Sequence, residues 1–242
     1  MKKWVLIFLF FFQFSLGQNS TALKITHLTG DFYIYETFQL FKNSLVAANG
    51  MYVVTNDGVV LFDSPWDTNQ ALPLLDSIYK KHNKKVVMSI ATHFHDDRTG
   101  SLAIYNSKGI ATYTSKQTDS LCVVYGEKRP SSTFKNDTVF KVGKYSFKTF
   151  YPGKGHAPDN IVIWFENEKI LYGGCFIKSS EATDLGNLSD ANVIEWKAST
   201  EKVLYTFRKP KHIIPGHQSW KSKKSLWHTL QLIKNYLKLN SN

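Results

Sequence analysis

Val86-Val87-Met88-Ser89-Ile90-Ala91-Thr92-His93-Phe94-His95-Asp96-Asp97-Arg98 passes from an apolar run straight into two imidazoles and a carboxylate on alternate residues. An apolar run of this length reads as a strand covered on both faces, which places it inside a layered α/β sheet. In extended chain, residues i, i+2 and i+4 point the same way, so His93, His95 and Asp97 are expected to converge at the strand's C-terminal edge while Phe94 turns into the core. Imidazole and carboxylate both ligate zinc, and catalytic zinc uses three protein ligands and keeps one position open for water. The competing reading is a polar loop that merely contains two histidines.

Working outward, residues 32–37 and 51–62 read as strands, and residues 69–82 as a helix with Leu72, Leu75, Ile78 and Tyr79 at helical spacing. Beyond the motif come a helix at 101–105, a strand at 110–113 and a helix from a Ser115 cap to residue 124. Two hairpins follow, 139–142 with 145–150 and 161–165 with 169–172. The remainder reads as a helix (191–207), a strand (212–215) and an amphipathic helix using Leu226, Leu230, Ile233 and Leu237. No linker or repeat divides this α/β succession, so residues 18–242 are expected to form one domain.

The 242 residues are 43% hydrophobic and 20% charged, with 14 Gly and 7 Pro, which excludes a disordered, collagen-like or coiled-coil chain. A net charge of +11 implies affinity for anions: nucleic acid, an anionic membrane or small acidic substrates. Lys2 and Lys3, an apolar run over residues 4–12 and Ser15-Leu16-Gly17 form a secretory signal in residues 1–17, too short to span a membrane. Export weakens the nucleic-acid reading. Two cysteines cannot form a disulfide scaffold, and Cys122, among apolar neighbours on a predicted helix, reads as a buried free thiol rather than a partner of Cys175.

Three more metal-capable residues each follow a predicted strand and a glycine: His156 in Gly153-Lys154-Gly155-His156, Cys175 in Gly173-Gly174-Cys175, and His217 in Pro215-Gly216-His217. Glycine lets the backbone turn tightly, and loops at strand ends are where α/β folds carry function. Singly, each has a structural explanation. Their combination points to a metal site.

The order H-F-H-D-D, G-K-G-H, G-G-C-x-x-K, P-G-H resembles the metallo-β-lactamase superfamily, and specifically the subclass B1 zinc β-lactamases. Arg98 after the motif aspartate, and Cys175 where other branches use a bridging carboxylate, are the features that narrow the resemblance. It implies a four-layer αββα sandwich and two Zn2+ ions, one on His93, His95 and His156 and the other on Asp97, Cys175 and His217. Zinc on three neutral imidazoles would bring the pKa of bound water towards about 7 and supply hydroxide to attack the lactam carbonyl. The implied catalytic residues are Asp97, Asn187 as oxyanion donor and Lys178, which pairs with the substrate carboxylate. Lys178, Asn187, Trp66 and Phe41 are the implied substrate contacts, with residues 38–49 as a hairpin flap. Asp63 reads either as a support for the motif loop or as a turn aspartate, and Arg98 either as a support for the second zinc or as a structural ion pair.

The expected protein is therefore a periplasmic, monomeric β-lactamase acting on penicillins, cephalosporins and carbapenems, with a small-molecule substrate and neither nucleic acid nor membrane as partner. The alternative is a hydrolase of lactones or thioesters on the same fold. His27, His82, His212 and His228 match no ligand position, and residues 220–224 read as a solvated helix start.

Overall fold

The computed structural model describes residues 23–41, 43–135 and 137–240. The expected signal and its cleavage point lie outside them. The described chain runs β1 (Lys24–Thr29), β2 (Phe32–Phe41), β3 (Ser44–Thr55), β4 (Gly58–Phe62), α1 (Ala71–His82), β5 (Val86–Ile90), α2 (Asp96–Thr99), α3 (Leu102–Ser107), β6 (Ala111–Ser115), α4 (Lys116–Tyr125) and β7 (Ser132–Phe134). It continues through β8 (Val139–Val142), β9 (Tyr145–Phe150), β10 (Val162–Phe165), β11 (Ile170–Gly174), α5 (Val193–Thr206), β12 (His212–Pro215) and α6 (Ser225–Leu239). No helix among the described residues is long and apolar enough to cross a membrane.

Two sheets form, ordered β1-β2-β3-β4-β5-β6-β7 and β12-β11-β10-β9-β8. Side chains alternate across each strand, and this period of two builds the layers. Val60 and Phe62 of β4 face Ile163 and Phe165 of β10 between the sheets. Val59 and Leu61 turn the other way onto Leu74 and Ile78 of α1. On the second sheet, Val162 and Trp164 pack beneath Trp196 and Val203 of α5 and Leu226 and Ile233 of α6. The outcome is helix, sheet, sheet, helix. Phe62 meets Phe147 and Phe165 edge-on at centroid distances of 5.2 and 5.6 Å, and each such buried side chain contributes about 1.5–3 kcal/mol.

Most predicted elements form close to their expected places, including the Ser115 cap, whose side chain accepts from Thr118 N. Others differ. Residues 51–62 are two strands: Asn56-Asp57 form a turn closed by the Thr55–Gly58 pair, which the apolar residues on both sides conceal. The hairpin expected over residues 38–49 forms, but as continuations of β2 and β3, which run further than predicted and stay in register from Phe38 with Ala47 to Phe41 with Ser44. The edge strands β1 and β7 were not foreseen: β1 is only partly buried with a weak apolar pattern, and β7 is three residues long.

Topology assembles one functional edge. Strands β4, β5 and β6 run parallel, so the chain leaves β4 and β5 on the same side. Strands β11 and β12 are also parallel, and β9 enters the loop before β10 antiparallel to it. An Ala48–His217 bridge and the Asn49 N to Gly216 O hydrogen bond of 2.8 Å join the two sheets there. The loops carrying His93, His156, Cys175 and His217 therefore meet.

Candidate metal centre

β5 ends at Ile90 and the chain bends over residues 92–95, with His95 at φ −60° and ψ 151° directly before the one-turn helix α2. Asp97 thus sits on a helical turn, not on the extended face expected for it. Its carboxylate points away from His95: Oδ2 lies 3.3 Å from Cys175 Sγ and 3.1 Å from His217 Nε2, and Oδ1 lies 3.8 Å from His93 Nε2. The helical turn satisfies the backbone there, with Arg98 N donating to His95 O at 2.9 Å.

His93, His95 and His156 form the first cluster. Their ring centroids are 4.7, 5.1 and 5.0 Å apart with interplanar angles of 80°, 89° and 82°. His95 Nε2 lies 3.0 Å from Asp190 Oδ2, an acceptor, which makes Nε2 the protonated nitrogen and leaves the Nδ1 lone pair facing inward. That lone pair lies 3.0 Å from His93 Nε2. His156 Nδ1 is buried without a hydrogen-bond partner. Burial, followed by neighbouring positive charge, holds His93 and His156 well below the ordinary histidine pKa, so both are neutral imidazoles. Converging neutral imidazoles with an orphaned polar atom are a donor set that fits zinc.

The second cluster is Asp97, Cys175 and His217. His217 Nδ1 lies 2.9 Å from the Ala47 carbonyl and donates to it, which frees Nε2 to face Cys175 Sγ at 3.3 Å. Thiolate, carboxylate and imidazole also fit zinc. His93, Asp97 and Cys175 likewise bring their ligand atoms within 4.8 Å of one another. Burial raises the Cys175 thiol well above its ordinary pKa, partly offset by Arg98. Asp97 Oδ1 has no hydrogen-bond partner. Burial raises the Asp97 pKa, but the Arg98 charge and the His217 hydrogen bond outweigh it and hold the carboxyl well below the usual range.

Glycine is required where the backbones crowd. Gly174 has φ +51°, and a Cβ there would lie 2.8 Å from Thr92 Oγ1; one on Gly216 would lie 2.8 Å from Cys175 Sγ. Asn160 braces the His156 loop, accepting from Ala157 N at 2.9 Å and donating to Gly153 O at 3.1 Å.

Arg98 lies beneath the second cluster, fully buried. Its guanidinium reaches Cys175 Sγ at 2.9 Å, Asp97 Oδ2 at 3.0 Å, Asp63 Oδ2 at 3.3 Å and the Gly216 and Asn49 carbonyls at 3.0 and 2.8 Å. Asp63 is also buried and accepts from Thr92 N at 2.7 Å and Tyr172 OH at 2.6 Å. Of the two readings open for each, the contacts favour support of the motif loop and second cluster. Both cysteines are free, with Cys122 packed against Phe94 and Ala157.

A cleft of about 550 Å³ opens over the clusters and includes Lys178, Asn187, Trp66 and Phe41 in its walls. His93 lies beneath it, fully buried. Lys178 is half-buried with Nζ 5.4 Å from the Trp196 ring centre; burial lowers its pKa, opposed by Cys175 and Asp97. Asn187 is exposed, its Oδ1 accepting from Ser189 N at 3.2 Å. Phe41 and Trp66 lie 5.4 Å apart at the β2–β3 hairpin. Asp190 was not foreseen: an aspartate shortly before a helix reads as a capping residue, and nothing local marks its reach to His95.

Comparison with known proteins agrees with this geometry. Residues 44–217 match the family model described as the metallo-β-lactamase superfamily. The chain is 43% identical over 222 residues to the metallo-β-lactamase type 2 of Elizabethkingia meningoseptica, covering 92% of this chain and 89% of that protein. It is 41% identical over 206 residues to metallo-β-lactamase IND-1 of Chryseobacterium indologenes, covering 85% and 86%. The crystal structure of metallo-β-lactamase IND-7 superposes with a TM-score of 0.85 at 40% identity, covering 88% of this chain and 98% of that one. The four layers, the two converging donor clusters and these relatives lead to one conclusion: the chain belongs to the metallo-β-lactamase superfamily, on its subclass B1 branch.

Proposed function

We propose that this protein is a periplasmic, monomeric, two-zinc β-lactamase that hydrolyses the lactam amide of penicillins, cephalosporins and carbapenems. The observation that carries the reading is the meeting of a three-imidazole cluster and an Asp-Cys-His cluster on the floor of one cleft, with Lys178 and Asn187 in its wall. Relatives named metallo-β-lactamase support the reaction class. His93, His95 and His156 would hold one ion, and Asp97, Cys175 and His217 the other. When bound, zinc supplies a Lewis acid and an activated water at neutral pH.

The chain's own residues do the remaining work. Lys178 pairs with the substrate carboxylate, and its partial burial strengthens that attraction by removing water. Asn187 has its Oδ1 engaged by Ser189 N, which leaves Nδ2 as the donor for the oxyanion that forms as water adds to the carbonyl carbon. The carbon–nitrogen bond then breaks and the nitrogen takes a proton from water. Asp97 is a weak base because its pKa is low, so it orients that water as an acceptor and does not store its proton. Phe41 and Trp66 form an apolar wall that shields the reacting bond.

Imipenem hydrolysis by purified protein, with and without chelator and with zinc content read on the same sample, tests the proposal. Chelator-sensitive turnover with two zincs per chain is the expected result. Two zincs without hydrolysis of any β-lactam would discard the substrate and favour lactones or thioesters.

A further inference from the structure

The chain's positive charge is concentrated far along the sequence. Residues 201–242 hold nine Lys or Arg and one acid, Glu201, a net +8 of the whole chain's +11. The acid is already matched: Glu201 Oε1 lies 3.2 Å from Lys197 Nζ. None of Lys209, Lys223 and Lys234 has an ion-pair partner among the described residues.

These cations surround a groove of about 750 Å³ between α5 and α6. Its floor is apolar, formed by Phe207, Ile213, Leu226 and Leu230, while Arg208, Lys209, Lys223 and Lys234 supply the rim. Two large aromatics stand beside them, Trp227 at 58% exposure and Tyr205 at 73%. The Arg208 guanidinium lies 5.0 Å from the Tyr205 ring centre. None of the groove's lining residues belongs to the metal cleft. Ile213 of the groove is near the start of β12, and His217 of the second cluster lies beyond that strand's end.

We infer that this groove docks the protein on an anionic phospholipid bilayer. Cations at a rim attract phosphate headgroups, and each Lys or Arg near such a surface strengthens binding about fivefold. Indole and phenol rings settle at headgroup depth, with an apolar body and a polar tip. The exposed Trp227 and Tyr205 rings distinguish the occupant, since an amphiphile's headgroup layer takes them up whereas free phosphate would leave them in water. Nucleic acid would meet the same cations and aromatics, and duplex DNA is therefore an arm of the test. Contact of this kind is peripheral and needs no spanning segment.

The test uses the zinc-loaded whole chain with vesicles of phosphatidylcholine alone and of phosphatidylcholine with phosphatidylglycerol, read by co-sedimentation. The neutral vesicles measure any contribution from the apolar run at residues 4–12, which the variants share. Lys209→Glu/Lys223→Glu/Lys234→Glu should lower partitioning onto the anionic vesicles by at least about 100-fold and leave β-lactam hydrolysis or, failing that, zinc content unchanged. Trp227→Ala, a single exposed change, should lower it several-fold and serves if the triple variant does not fold. Millimolar inorganic phosphate should not release the protein. Equal binding of wild type and variants, release by inorganic phosphate, or equal loss of duplex DNA binding in the same variants would overturn the inference.

Discussion

His95 Nε2 donates to Asp190 Oδ2 across 3.0 Å, and this one contact decides which nitrogen of His95 faces the first cluster. The two residues are 95 apart in sequence and belong to opposite sheets' loops. Carboxylates that hold a ligand histidine's second nitrogen orient the ring and raise its basicity, and losing them costs about 10–100-fold in metal affinity or activity. Asp190→Ala should weaken zinc binding at the three-histidine cluster by that factor, with Asp190→Asn in between. Competition against a chelator reads the affinity, and equal affinity in all three proteins would remove Asp190 from this role.

Cys175→Ser should empty the second cluster before the first, because zinc prefers thiolate to a neutral hydroxyl. Zinc content should fall from two per chain to about one. Two retained ions and unchanged turnover would overturn the ligand assignment.

Lys178→Glu reverses the charge offered to a substrate carboxylate. The expected effect is a KM raised by about 10-fold or more for carboxylate-bearing β-lactams with kcat less affected. An unchanged KM would take Lys178 out of the binding wall.

Arg98 is the counter-charge of Asp63 and Asp97, at 3.3 and 3.0 Å. Removing one member of a buried ionic group leaves the others uncompensated, at a cost of about 3–5 kcal/mol. Arg98→Ala should lower the denaturation midpoint of the metal-free protein accordingly. A loss under about 1 kcal/mol would mean that water replaces the guanidinium.

The metal-free protein should lose stability as pH falls below about 6.5. Burial keeps His93 and His156 below that value in the fold, while the unfolded chain protonates both, so the unfolded state binds more protons and stability rises with pH. The two groups together correspond to roughly 5–10 °C in Tm per pH unit. Asp159 acts in the opposite sense: burial pushes its pKa up to about 6, and its protonation in the fold adds stability as pH falls. Asp159→Asn should therefore steepen the loss. A Tm scan of chelated protein from pH 7.5 to 5.5 checks both signs.

Much of the fold was legible because it rests on local periodicity. The alternation of β4 and β10, the helical spacing of α1 and α6, and the Ser115 cap are short-range patterns with a single physical reading. The candidate ligands were legible for a related reason: imidazole, thiol and carboxylate after strand ends and glycines are chemically distinctive at any distance. Their grouping was only partly so. Period two in extended chain assigned Asp97 to the face of His95, but α2 turns it towards Cys175 and His217.

What lay beyond reading along the chain depends on pairing over long separations. The reach of Asp190 to His95, the seat of Arg98 among Asn49, Asp63, Cys175 and Gly216, and the hold of Ala47 on His217 arise only once the sheets pack face to face. Residue types set which atoms can ligate, donate or repel. Packing of two sheets through one apolar core sets which of those atoms meet, because a buried polar group must take whatever partner the fold brings within about 3 Å.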